Sequence, residues 1–224
     1  MGEPLRLMTV NLLHGGADVG AFRQLLQRFD PEVVVTQELG FACAAVLREK
    51  FANHWLNPAH GFAGRGIATR LEASFGDIPM PFRYGTWARL VVDGREWSLA
   101  GVHLLNPIEF PWWRSVQGRS DQLEAIQSWI DEVTSGPLVV AGDLNASPRW
   151  PAYRQLAARL TDLPAAFAST QDSRPERTWG WRPGWPRMLR IDHVFGSSVD
   201  PVAVSVVPIE GSDHDAVVVD LVAR

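Results

Sequence analysis

One cysteine, Cys43, stands alone in the chain, so no internal disulfide can form. Nothing here argues for an oxidising compartment. Lysine is as scarce: Lys50 is the only one, beside 20 arginines, a ratio read first as composition bias. No apolar run approaches the about 20 residues that a membrane-spanning helix needs. The opening Met-Gly-Glu-Pro-Leu-Arg-Leu lacks the basic start and apolar stretch of a secretory signal, so the expected location is cytoplasmic. Repeats, linkers and low-complexity tracts are missing as well. A formal charge of −4 excludes a polycation held to nucleic acid by its overall field and leaves only local basic patches open.

What is present is an ordinary globular composition. With 224 residues, 46% of them hydrophobic, the chain is expected to fold as one domain over 1–224 and to bury a sizeable core, as a monomer. Strands are expected at Leu5–Leu13, Glu32–Gln37, 64–70 and 137–144, and in the closing runs "RIDHVFG", "VAVSVV" and "AVVVDL". Thr86–Val92 and Glu96–Leu105 read as a hairpin around Asp93-Gly94. Helical spacing covers Asp18–Phe29, Phe41–Phe51, Ser120–Val133 and Trp150–Leu160. Asn106–Gln117 and Ala165–Arg190 read as long irregular segments, which in a compact domain are usually functional loops. Strand runs interleaved with helices predict two packed sheets with helices outside.

Polar residues recur where the apolar strands stop: Asn11, Glu38, His103, Asp143 with Asn145, Asp192 with His193, and Asp213 with His214. Any one of them alone reads as a turn-former or cap. The same choice at so many strand ends fits a site gathered at one edge of a sheet. His193, inside a strand, reads as a structural histidine. Asp215 reads as a turn or supporting residue, and His14, His54 and His60 receive no role. No pair of residues has the spacing of a zinc site.

The ordered segments "TVN" (9–11), "TQE" (36–38), "GVH" (101–103), "GDLNASP" (142–148), "RIDHVF" (190–195) and "SDHDAV" (212–217) resemble the exonuclease–endonuclease–phosphatase superfamily over nearly the whole chain. The resemblance implies an α/β (α+β) fold, a four-layer α/β/β/α sandwich of two packed mixed sheets with outer helices. It also implies hydrolysis of phosphoesters with Mg²⁺ (or Mn²⁺). By resemblance, Glu38, Asn11 and Asp213 belong to the metal. His214 is the catalytic histidine, and Asp192 is the carboxylate that hydrogen-bonds it. Asp143 orients or deprotonates the attacking water, and Asn145 holds a phosphate oxygen or that water. His103 matches a second histidine that donates to phosphate or leaving group; Glu72 and Glu109 are the candidates for its partner. A hard divalent cation suits such chemistry, since it neutralises charge developing on phosphorus.

The family decides the reaction and not the substrate. Two loops carry that question. The first holds Trp112 and Trp113, with Arg119 at its edge. The second, 173–190, interleaves five arginines, Arg182 among them, with Trp179, Trp181 and Trp185. Arg with Trp is the composition of a surface for single-stranded nucleic acid. It also suits an anionic lipid headgroup, or a loop folded onto its own sheet. The leading expectation is a nuclease. A lipid or small-molecule phosphodiesterase or phosphatase is the alternative, and a non-catalytic binding module that kept the fold is the least favoured.

Overall fold

The computed structural model describes residues 3–108, 112–133 and 135–224, except the side chains of 112 and 114. In chain order the elements are β1 (Leu5–Asn11), α1 (Val19–Phe29), β2 (Val33–Gln37), α2 (Phe41–Lys50), β3 (Asn53–Asn57), β4 (Arg65–Thr69), β5 (Ala73–Pro79), β6 (Tyr84–Val92), β7 (Arg95–His103), α3 (Trp112–Glu132), β8 (Leu138–Asp143), α4 (Pro151–Ala157), β9 (Thr161–Asp162), α5 (Leu163–Thr170), β10 (Asp192–Ser197), β11 (Val199–Pro208) and β12 (Asp215–Ala223). They build two mixed six-stranded sheets, ordered β11-β12-β1-β2-β4-β3 and β5-β6-β7-β8-β10-β9.

Side-chain alternation along the strands sorts the core into layers. Leu5, Leu7, Val33 and Val35 of the first sheet meet Leu99, Val139, Ala141 and Val194 of the second in a dry central layer. The intervening residues point outward. Met8, Val10 and Val34 pack on Phe22 and Leu26 of α1 and on Ala44 and Leu47 of α2. Leu138, Val140 and Phe195 pack on Leu123 and Ile126 of α3 and Leu156 of α4. The result is four layers, α/β/β/α, as the resemblance implied. Among the described residues no helix is long and apolar enough to cross a membrane.

Local chemistry accounts for the boundaries. The Asp18 carboxylate caps α1 by accepting from the Ala21 N–H at 2.7 Å. Asp93 and Gly94 both take positive φ, 48° and 75°, as the two-residue turn of the β6–β7 hairpin requires.

Both segments expected to be irregular contain helix. α3 already begins at Trp112, and α5 occupies 163–170. In the second case Asp162 supplies a cap, accepting from Ala165 N at 3.0 Å, with Pro164 in the first turn. β3 and β5 carry no clean alternation and were not expected. Each is the edge of its sheet, ordered by the neighbouring strand and not by its own apolar pattern.

Candidate active site

The alternation that builds the central layer continues past its apolar end. On β7, β8 and β10 the residues facing inward after Leu99, Ala141 and Val194 are His103, Asp143 and Asp192. Register places His103 beside Asp143, and Asp143 beside Asp192. On β1 the same face ends in Asn11, paired with Gln37 of β2, and Glu38 follows at once. The site is therefore the open end of the inter-sheet space, and rigid strands hold its side chains.

Gly142 makes the approach possible. It has φ 141°, and a Cβ there would stand 2.0 Å from the Val102 carbonyl oxygen. Glu38 and Asn145 both hold left-handed backbone, φ 53° and 47°. Glu38 adopts that region at a cost, whereas asparagine tolerates it more readily.

The Asn11 amide joins the two sheets. Its Nδ2 donates to Glu38 Oε1 at 3.2 Å and to Asp143 Oδ2 at 3.1 Å. Glu38 Oε2 accepts from the His14 N–H at 2.7 Å and lies 3.1 Å from His14 Nε2. The Asp143 carboxylate accepts from the Asn145 N–H at 2.7 Å and from its Nδ2 at 3.3 Å. On the other side, His214 Nδ1 lies 2.9 Å from Asp192 Oδ2, which also accepts from the Thr178 hydroxyl at 2.6 Å. His214 Nε2 thereby points into the site, 3.8 Å from Asp143 Oδ2 and 3.9 Å from Asp213 Oδ1.

Electrostatics separates the groups. Burial opposes the charge on His214, but the carboxylates of Asp192 and Asp143 override it and raise the imidazole to about 10. Burial drives the Asp143 carboxyl up to about 7, with Asp192 and Glu38 adding to the rise and His214 opposing it. His103 goes the other way. Burial, then Arg83 and His214, lower it well below its ordinary value. Arg83 Nη1 sits 2.5 Å from His103 Nε2. A guanidinium can only donate, so this nitrogen accepts and the ring is neutral.

The donor set fits a hard cation. Asp143, Asp192 and His214 bring one donor atom each within 4.8 Å of one another. Asp192 and His214 already satisfy each other. Asp143 and Glu38 share one amide and, among the described residues, pair with histidines and with no lysine or arginine. Among the described residues Asp213 Oδ1 is buried without a hydrogen-bond partner. Buried carboxylate oxygens left in this state call for a counter-ion.

A cleft of about 420 Å³ opens over this end. It contains Glu38, His103, Asp143, Asn145, Asp213 and His214 together with Trp179 and Trp181. Trp179 Nε1 donates to Asp213 Oδ2 at 3.1 Å. The other expected substrate contacts lie elsewhere. Arg119 is buried, donating to the carbonyls of Leu105 and of Leu144, the latter at 3.3 Å, so it supports the loop from beneath. Arg182 lies over the Trp185 ring at 5.9 Å, and neither it nor Trp113 lines the cleft. The Trp112 side chain lies outside the described residues.

His193 is structural, its Nε2 2.8 Å from the Ala146 carbonyl. Asp215 is clamped by Arg187, whose Nε donates at 2.7 Å, and so anchors the 171–190 loop. Of the two glutamates considered for His103, Glu109 lies outside the described residues, and the ring meets Arg83. Four contributors were missed: His14 at Glu38, Arg83 at His103, Thr178 at Asp192, and Trp150 in the cleft wall. Thr178 sits in the Arg-Thr-Trp segment just before Trp179; the others carried no mark in the sequence.

Carboxylates, a histidine and amide donors converge on one open mouth, an arrangement suited to the hydrolysis of phosphoesters. The sequence profile of the Endonuclease/Exonuclease/phosphatase family matches residues 8–214, and the chain belongs to that family. It is 31% identical to human nocturnin over 109 residues, which is 47% of this chain and only 25% of nocturnin. The catalytic domain of human nocturnin with bound sulfate superposes with a TM-score of 0.73 at 18% identity, covering 100% of this chain and 96% of that one. TDP2 from D. rerio, complexed with a single-strand DNA product, gives 0.78 at 17% identity, covering 98% and 99%. At these identities the structural likeness is one of fold.

Proposed function

We propose that the protein is a divalent-metal-dependent phosphoesterase that hydrolyses phosphodiester bonds, with nucleic acid as the leading substrate class. One observation carries the reading: Asn11 clamps Glu38 and Asp143, from different sheets, beside the positively charged His214. Glu38 and Asp213 are the residues that would hold Mg²⁺ or Mn²⁺, with Asp143 beside them. Asn11, expected among the ligands, turns its Nδ2 to Glu38 and Asp143 while its Oδ1 accepts from the Leu13 N–H at 3.0 Å, so it positions the carboxylates instead. When bound, such an ion neutralises charge on the phosphate and lowers the barrier to attack by water.

The chain's own residues divide the remaining work. Asp143, raised to about 7, accepts a proton from the attacking water near neutral pH. Asn145 keeps that carboxylate oriented through its N–H and amide. His214 carries the positive charge and donates from Nε2 to a phosphate oxygen as negative charge builds there. Asp192 fixes the ring through Nδ1, and Thr178 fixes Asp192. This assigns the base to Asp143 and the electrostatic donor to His214. His103 supports the phosphate side through Arg83.

The single-strand DNA product in the D. rerio TDP2 structure supports the nucleic-acid reading, as does Trp181 at the rim. A lipid or small-molecule phosphoester is the second reading, favoured by Ile108 and Trp181, which stand 75% and 59% exposed at the mouth. A panel of single-stranded DNA, RNA, abasic-site duplex, sphingomyelin and bis-p-nitrophenyl phosphate, with Mg²⁺ or Mn²⁺ and an EDTA control, tests both. EDTA-sensitive cleavage of DNA or RNA supports the first. Cleavage confined to lipid or to the small diester supports the second, and no cleavage of any member rejects both.

A further inference from the structure

The cleft's walls differ from its floor. Above the carboxylates and histidines the lining is apolar and aromatic: Phe62 and Ile108 on the flank of β4 and β7, Trp150, Trp179 and Trp181 on the flank of β8 and β10. Among the described residues Arg83 is the only arginine or lysine in the lining. A polynucleotide groove needs a track of cations and a row of stacking platforms. Three of the arginines expected near that track are committed elsewhere. Arg187 is held by Asp215, Arg190 pairs with Asp162 at 2.7 Å, and Arg119 is buried on main-chain carbonyls. The space, about 420 Å³, is that of a small-ligand site.

The tryptophan wall is also built in place. Trp179 is fixed by its hydrogen bond to Asp213, and Trp181 stacks edge-on against Trp179 at 5.8 Å. Gly180 N donates to the Asp213 carbonyl at 2.9 Å, and Asp215 N to the Thr178 carbonyl at 2.7 Å. The segment that ends in His214 therefore also positions the wall. Trp150 is the N-cap of α4, the next element after β8 and its Asp143.

We propose that Trp150 and Trp181 form a subsite for one planar, ring-bearing unit esterified to the reacting phosphate, and that the cleft does not track a polynucleotide backbone. The subsite rests on the catalytic reading above, and it limits that reading to a chain end or a nucleotide-sized ester. Indole rings in the lining favour a flat group over an alkyl chain. A phosphate with no ring attached gains nothing from either tryptophan.

Binding tests this apart from turnover. Thymidine 5′-monophosphate, methyl phosphate and a ten-residue oligothymidylate are titrated by calorimetry against the full chain with Ca²⁺. We expect the thymidine ester to bind about tenfold tighter than methyl phosphate, because its base stacks on an aromatic side chain. Trp150→Ala and Trp181→Ala each bring that ratio toward one, and Trp181→Phe restores part of it. The oligomer binds within a few-fold of the monomer, with a shallow salt dependence. Equal binding of the two monoesters, unchanged ratios in both alanine variants, or affinity climbing steeply with oligomer length would each overturn the proposal. Failure of turnover with the binding pattern intact would count against the catalytic reading alone.

Discussion

Asp143 and Asp192 stand directly opposite each other on β8 and β10, and the His214 ring lies against both, 2.9 Å from Asp192 and 3.8 Å from Asp143. Two buried carboxylates facing across a strand pair repel unless a cation lies between them. His214 is that cation. Replacing it with alanine should cut turnover by about 10²–10⁴-fold while the fold survives, because the ring belongs to the site and not to an apolar layer. Steady-state kinetics with circular dichroism check this, and near-wild-type turnover would remove His214 from the chemistry.

Asp192→Asn keeps the shape and removes the charge that fixes the ring. By analogy with other oriented Asp–His pairs, the expected loss in kcat is about 10⁴-fold. Thr178→Val should fall in between, since Asp192 keeps His214 but loses the 2.6 Å bond that holds it. Equal activity of Thr178→Val and wild type would show that Thr178 has no orienting role.

The charge states give a pH prediction for the metal-free protein. The Asp143 carboxyl, driven upward mainly by burial, should titrate at about 7 in carbon-detected NMR. His214→Gln removes a positive neighbour, so Asp143 should move further up. A titration near the ordinary value of about 4 in either protein would contradict the arrangement.

Glu38→Gln should weaken divalent-ion binding by about tenfold or more, given that even supporting contacts to a metal site cost that much. Mn²⁺ titration followed by paramagnetic relaxation reads this without turnover. An unchanged titration would take Glu38 out of the metal site.

Stability is tested away from the chemistry, at Asp162. Burial works against its charge, but His193 and Arg190 outweigh burial and hold the carboxyl below its usual range. Arg190→Ala should therefore destabilise the fold, but by less than the about 3–5 kcal/mol of a buried charge left with no partner, because Tyr153 and the Ala165 N–H still donate to the carboxylate. Because the folded-state pKa is depressed, Asp162 stabilises at pH values above its unfolded pKa of about 4 and loses that contribution as pH falls. In urea melts the gap between wild type and Asp162→Asn should narrow below that pH; a constant gap would contradict it.

The layers and the floor of the site were legible because both obey alternation. Strands with strong apolar patterns, and the polar residues that end them, are written locally in the chain. The edge strands β3 and β5 were not legible, since their order comes from a neighbour. The roles of the arginines were hidden for a similar reason. Composition placed five in one loop, but only the fold commits Arg187 to Asp215 and Arg190 to Asp162. His14 and Arg83 reach the site from distant loops, and no local pattern marks such an arrival.

The central claim is metal-dependent phosphoester hydrolysis at Glu38, Asp143 and His214. Its most direct test is the rate of bis-p-nitrophenyl phosphate hydrolysis, measured with Mg²⁺ or Mn²⁺, after EDTA, and after the ion is restored, for wild type and Asp143→Asn. The account predicts turnover that vanishes with EDTA, returns with the ion, and is absent from Asp143→Asn under every condition. Turnover that persists in EDTA, or in Asp143→Asn, would contradict it.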